Sequence, residues 1–183
     1  TERQRESGNY SKGHVSIQGL KIAIETPRGV KRRPWHDKPL AHHYGYLKRT
    51  ESEADGDHVD VFIGPNPDSD KVFVVDQDND EGKFDEHKVM LGFPNANEAY
   101  TAYHANYPEG HNGYNGMATM DLGDFKRWAF SGKGAKQKRA SEMKMFAKGG
   151  EVRYFEAGGG AGGDGGSGGD GGSGGDGSAG DGG

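Results

Sequence analysis

The sequence predicts an α+β domain: a small barrel or curled sheet, two flanking helices and a glycine-rich C-terminal tail. Three observations carry that expectation. Strand-like alternation is confined to the stretch before Pro94, helical spacing begins only after it, and 17 of the 26 residues from Gly158 to Gly183 are glycine. Strands first and helices last is the order of a segregated α+β domain, in which helices cover one side or end of a sheet.

Residues 1–13 are polar and unpatterned, and read as a flexible lead-in. From His14 to Glu25 the sequence alternates, with Val15, Ile17, Leu20, Ile22 and Ile24 apolar and Gly19 marking a bend or bulge between two strands. Thr26-Pro27-Arg28-Gly29 ends that pattern, since Pro and Gly break regular structure. Residues 28–49 read as a basic, aromatic-spiked connection. Two short β-branched runs, Val59–Ile63 and Lys71–Asp76, flank Gly64-Pro65-Asn66-Pro67-Asp68 and read as a hairpin, and Phe84–Leu91 is a further strand. Asn95 with Glu98 forms a capping pair, after which Ala99, Ala102, Tyr103 and Asn106 follow at helical spacing. A second helix spans Asp121–Phe130, with Leu122, Phe125, Trp128 and Ala129 on one face and Gly132 past its end. The domain is thus placed at 14–132, with a basic, Met-rich linker over 133–157. A disordered tail of Gly, Asp and Ser over 158–183 has too little apolar surface to offset chain entropy.

Composition excludes several function classes. The chain carries 23 basic and 28 acidic side chains, and four of the acids but no base lie in the tail. The remaining 157 residues therefore hold 23 bases against 24 acids, too near neutrality for a general polyanion binder. No nucleic-acid partner is expected, although Lys126–Lys148 is locally basic. No apolar run approaches the ~20 residues that span a bilayer, so no membrane partner is expected either. The absence of cysteine excludes disulfides and thiolate metal sites. With no basic-then-apolar leader in view, a cytoplasmic location is expected. The start at Thr1, without Met, suits a piece cut from a longer polypeptide.

The sharpest chemical feature is Asp55-Gly56-Asp57-His58-Val59-Asp60-Val61, three carboxylates within six residues at the start of an apolar strand. In an extended chain Asp55 and Asp57 project to one side, and Gly56 lets the backbone bend so that Asp60 reaches the same point. Clustered carboxylates repel one another, and a hard divalent cation with oxygen ligands, Mg²⁺ above all, compensates them. A solvated acidic turn is the competing reading, since Asp-Gly is a common turn pair. Upstream stand Tyr44-Gly45-Tyr46 and Ile24-Glu25-Thr26-Pro27. This ordered set resembles the soluble family I inorganic pyrophosphatases, over residues 14–91 and more loosely to Phe130. The likeness is greatest to pyrophosphatase-like domains in large multi-domain proteins of phages and mobile elements.

The resemblance implies a fold, an OB-like closed barrel of about five strands with flanking helices. It also implies a reaction, the hydrolysis of pyrophosphate by water activated between two or more Mg²⁺ ions, without a covalent intermediate; Mn²⁺ is the alternative ion. It implies Asp55 and Asp60 as metal ligands, Asp57 as the carboxylate that orients or deprotonates the attacking water, and Glu25 as an outer-sphere acid. Tyr44 would line the catalytic site. In the acidic segment 76–88, it implies Glu86 as a metal ligand, with Asp85 competing, and Lys88 as a catalytic phosphate contact. Asp80 or Glu81 would be the earlier acid. The Asp76, Asp78, Asp80 spacing is that of a calcium loop, but Gly82 comes one residue late and His87 holds the twelfth position, so that reading is rejected. Basic residues of Arg28–Arg33 would clamp phosphate, with Lys31 and Arg33 favoured and Arg32 open, and Tyr107 would complete the substrate contacts.

The sequence also departs from the pattern. His58 replaces a usual proline, Leu40 a common tyrosine, and Pro108 follows Tyr107 where a lysine is expected. Two readings therefore stand: a Mg²⁺-dependent pyrophosphate hydrolase, and a non-catalytic phage or virion-associated module that keeps the fold. The family often self-associates, so a homo-oligomer is allowed, without an interface signature in the sequence.

Overall fold

In a computed structural model, the structure describes residues 13–33, 36–50 and 58–130, with Arg139, Glu142 and the backbone of Tyr154–Phe155. Residues 1–12 of the expected lead-in, most of the linker, the tail, Asp55 and Asp57 lie outside these residues, while Gly13 opens the first strand. Eight strands and two helices are present among them. In chain order they are β1 (Gly13–Ile17), β2 (Leu20–Thr26), β3 (His43–Leu47), β4 (Asp60–Ile63), β5 (Lys71–Asp78), β6 (Phe84–Leu91), α1 (Ala96–Ala105), β7 (Tyr114–Asp121), α2 (Leu122–Ala129) and β8 (Tyr154–Phe155).

The α+β class is as expected, but the strands differ from expectation in four respects. They join in one sheet ordered β1-β2-β3-β4-β6-β5-β7-β8, and no pairing joins β1 to β8, so the sheet is open, with eight strands rather than a closed barrel of about five. Val59–Ile63 and Lys71–Asp76 do not form a hairpin. β6 lies between them, parallel to β4 and antiparallel to β5. The intervening turn instead docks on the end of β6, where Gly64 N–H donates to Leu91 O and Asn66 N–H to Gly92 O. Residues 28–49 are not connection throughout, since they contain β3. Strands do not all precede helices either: β7 separates α1 from α2, and β8 falls within the stretch read as linker.

The local predictions fare better. Gly19 (φ 82) and Gln18 (φ 48) make the β1–β2 turn where the alternation broke. Asn95 caps α1, its side chain accepting from Glu98 N–H at 2.9 Å and donating back to Glu98 Oε1 at 3.2 Å. Ala99, Ala102 and Tyr103 are the buried face of α1, and Phe125 and Ala129 that of α2.

Both faces of the sheet are covered. One core joins Ile22, Val61, Val89, Val74 and Ala118 to Phe125 of α2. The other joins Tyr44, Phe62, Met90, Phe73 and Met117 to Leu40 and to Ala99, Ala102 and Tyr103 of α1. Gly45 permits the close β2–β3 approach, since a Cβ there would lie 1.9 Å from Ala23 O. Side chains alternate along strands, so Asp60 and Phe62, Lys88 and Met90, Val75 and Gln77 occupy the α1 face. Register aligns Asp60 with Tyr46 and Lys88, Lys88 with Val75, and Glu86 with Gln77. The end of this face is polar, and there the candidate site lies.

Candidate functional site

Lys88 is fully buried at the centre of the site. Its Nζ lies 2.5 Å from Asp60 Oδ2, 2.7 Å from Glu86 Oε1 and 3.4 Å from Tyr44 OH. Tyr44, also buried, donates its hydroxyl hydrogen to Asp60 Oδ2. Arg32 Nη2 donates to Tyr44 OH at 2.5 Å, and the guanidinium carbon lies 4.0 Å from the Tyr44 ring centroid. This is the cation-over-face geometry that a π system favours. Two half-buried carboxylates thus meet two cations and a phenol, contributed by β3, β4, β6 and the loop before β3.

Burial tends to raise the Asp60 pKa, but the Lys88 charge and hydrogen bonds from Lys88 and Tyr44 outweigh it and hold Asp60 below the usual carboxylate range. Glu86 goes the other way: burial and the neighbouring Asp60 charge raise it despite Lys88. Burial, followed by Asp60, pushes the Tyr44 phenol well above its ordinary value, so it remains a hydrogen donor. Burial opposes the Arg32 charge, yet Tyr44 and Asp60 more than compensate and strengthen it.

A second, neutral layer adjoins Glu86. Gln77 Nε2 donates to Glu86 Oε1 at 3.0 Å, and Tyr103 OH donates to Gln77 Oε1 at 2.8 Å. His111 Nε2 lies 3.0 Å from Tyr103 OH. Tyr107 stacks on His111 with ring centroids 4.0 Å apart and planes 9° from parallel. The buried hydroxyl of Tyr107 has no hydrogen-bond partner of good geometry among the described residues. A buried donor left unmade costs free energy unless something else satisfies it.

The expected site residues divide accordingly. Tyr44, Asp60, Glu86 and Lys88 come together, and Tyr107 stands beside them. Glu25 is half-buried at a bulge of β2, between Ile24 and Thr26, the kind of irregularity that re-aims a side chain. Lys31 and Arg33 are exposed, and it is Arg32 of that trio that enters the cluster. Asp80, Glu81 and Asp85 are exposed, Asp80 and Glu81 at the β5–β6 turn, and Glu81 pairs with Lys83 at 2.9 Å. Among the described residues no three acidic or histidine side chains form a metal-binding group. Leu40 fills apolar core. His58 stacks on Tyr46 and its Nδ1 meets Thr50 O, while Val59 N–H donates to Thr50 Oγ1 at 3.0 Å. Thr50 and His58 are thereby tied together at the base of the segment carrying Asp55 and Asp57, two residues from Asp60.

Gln77, Tyr103 and His111 carry no sequence signal of a site. A neutral amide within an apolar strand and an aromatic at a helical core spacing both look structural, and only the fold brings them to Glu86. No helix among the described residues is long and apolar enough to cross a membrane.

No curated protein and no solved structure matches the chain. The family model described as Inorganic Pyrophosphatase does match it, over residues 2–130, more than two thirds of its length. The chain therefore belongs to the inorganic pyrophosphatase family.

Proposed function

We propose that the chain hydrolyses inorganic pyrophosphate to phosphate in a reaction that requires Mg²⁺, with Mn²⁺ as a substitute. The observation that carries this reading is the constellation of buried Lys88 and Tyr44 with half-buried Asp60, Glu86 and Arg32 at one end of the sheet. Its donor set suits a hard divalent cation: Asp60 and Glu86 offer carboxylate oxygens side by side, and burial together with the Asp60 charge raises the Glu86 pKa. Asp60 and Glu86, joined by Asp55 and supported by Glu25, would hold such ions. The exposed position of Asp80 makes it the weakest member of that proposed set. Bound divalent ions supply positive charge against pyrophosphate and ease the loss of a proton from the attacking water.

The side chains take the remaining roles. Arg32 presents a planar fork suited to phosphate oxygens, and Lys88 a point charge. Tyr44 and Tyr107 stay protonated; Tyr44 lines the site and orients Asp60 with its hydroxyl hydrogen, and Tyr107 would contact the substrate. Asp57 accepts the proton of the attacking water. Lys31 and Arg33 would contribute field rather than direct contact. The cytoplasm is the setting we propose, that of the host if the chain is phage-encoded.

The test is phosphate release from pyrophosphate with and without Mg²⁺, comparing the parent chain with Asp57→Asn and Asp60→Asn. Mg²⁺-dependent turnover is expected in the parent, reduced at least about 10²-fold in Asp57→Asn, the size of a lost catalytic proton transfer, and reduced in Asp60→Asn through loss of a cation ligand. Absence of turnover above background in the parent defeats the reading. Pro108, standing where the resemblance implies a lysine, favours the second reading, a non-catalytic phage or virion-associated module. That reading predicts pyrophosphate binding without turnover.

A further inference from the structure

Proton counting orders the neutral layer beside Glu86. A carboxylate oxygen held by Lys88 at 2.7 Å is an acceptor, so the Gln77 group facing Glu86 Oε1 must be its amide NH₂. Gln77 Oε1 then faces Tyr103, whose single hydroxyl hydrogen is committed to it at 2.8 Å. Tyr103 oxygen can only accept from His111, which fixes the His111 tautomer with hydrogen on Nε2. Burial, reinforced by His104, lowers the His111 pKa and favours this neutral form. Every donor in the series His111, Tyr103, Gln77 therefore points towards Glu86. Oε1 of Glu86 is occupied by both Gln77 and Lys88, which sets the orientation of the carboxyl group beside Asp60.

We propose that Tyr103 is a positioning residue: through Gln77, with His111 as the outer end of the chain, it fixes which oxygen of Glu86 is offered to a divalent cation. This rests on the reading of Asp60 and Glu86 as cation ligands. Removing the Tyr103 hydroxyl frees the Gln77 amide to flip, and a flipped amide sets its oxygen against Glu86 Oε1. Partners behind a metal ligand typically change metal affinity by about 10–100-fold when lost. Tyr103 is fully buried and Gln77 is nearly so, and Tyr103→Phe preserves the packed ring.

The experiment is Mn²⁺ binding without substrate, followed by calorimetry and by the spin-resonance signal of free Mn²⁺, on the full chain and on Tyr103→Phe, Gln77→Met and the double variant. An affinity about tenfold weaker in each single variant is expected. The double variant should be no weaker than the worse single one, because links in series are not additive. His111→Gln, which keeps a donor, should bind closer to the parent than His111→Leu. Circular dichroism and urea midpoints show whether each variant is folded, and Gln77→Met gives a second reading should Tyr103→Phe fail. Parent-like affinity in folded Tyr103→Phe and Gln77→Met overturns this inference alone. A parent chain that binds no Mn²⁺ overturns the reading of the site, and this inference with it.

Discussion

Lys88 holds two carboxylates that differ in what they need from it. Asp60 has a depressed pKa, so its stabilising contribution is full above the ordinary carboxylate value and is lost as pH falls through its lower folded value. Glu86 has a raised pKa, so the fold prefers it protonated. That contribution is full below the ordinary value near about 4.3 and is lost as pH rises through the folded one. Without divalent ions, Glu86→Gln should therefore stabilise the chain at pH 7 and have a smaller effect at pH 4. Urea unfolding at the two values, in chelator, measures this, and an equal shift at both would contradict it. Removing the shared cation should be far worse: Lys88→Met leaves two largely buried acids facing each other and should cost about 3 kcal/mol in the same assay. Tyr44, Asp60, Glu86 and Lys88 were legible in the sequence because they sit in motifs with fixed order. Arg32 was not separable from Lys31 and Arg33, since an irregular loop has no period from which to read direction.

Among the elements, α1 holds the site from behind through both of its ends. Asn95 caps the start, and Asn95→Ala should cost about 1 kcal/mol, read as a lower urea midpoint without change in turnover. Asn106 closes the other end and ties down the loop that carries Arg32. Its Oδ1 accepts from Ala41 N–H at 2.9 Å and His42 N–H at 3.1 Å, while Nδ2 donates to Ala102 O at 2.7 Å. Asn106→Ala leaves those amides unpaired and loosens the Arg32 loop. KM for pyrophosphate should rise several-fold while kcat changes little, because Asp60 and Lys88 sit on strands the change does not touch. An unchanged KM would show that the loop is held in place without Asn106. The cap was legible as a pair three residues apart, whereas β3 and β7 were not. His43–Leu47 and Tyr114–Asp121 contain no Val or Ile, and their burial comes from neighbours on both sides rather than from their own alternation. The parallel β4–β6 pair was equally hidden, since a short Pro-rich turn between two strands looks the same in sequence whether or not a third strand enters between them.

For the whole molecule, the question is how much chain the site requires. Every element that supplies the cluster lies within residues 13–130, and β7 is covered along its length by β5. Beyond Phe130 the described contributions are the Arg139 guanidinium, 4.5 Å from the Phe84 ring centroid, and β8, paired with β7 only at Met117–Phe155 and Ala118–Tyr154. Truncation after Ala157 removes no described hydrogen bond, and should leave melting temperature, Mg²⁺ response and phosphate release unchanged. Truncation after Phe130 uncovers the β7 edge, and exposed edges invite pairing with another chain. That shorter protein should keep its turnover per folded molecule but associate with rising concentration in sedimentation velocity. Loss of turnover on removing only residues 158–183 would mean that the glycine-rich segment takes part in catalysis. Loss on removing 131–157, with association absent, would mean instead that this segment contributes to the site directly.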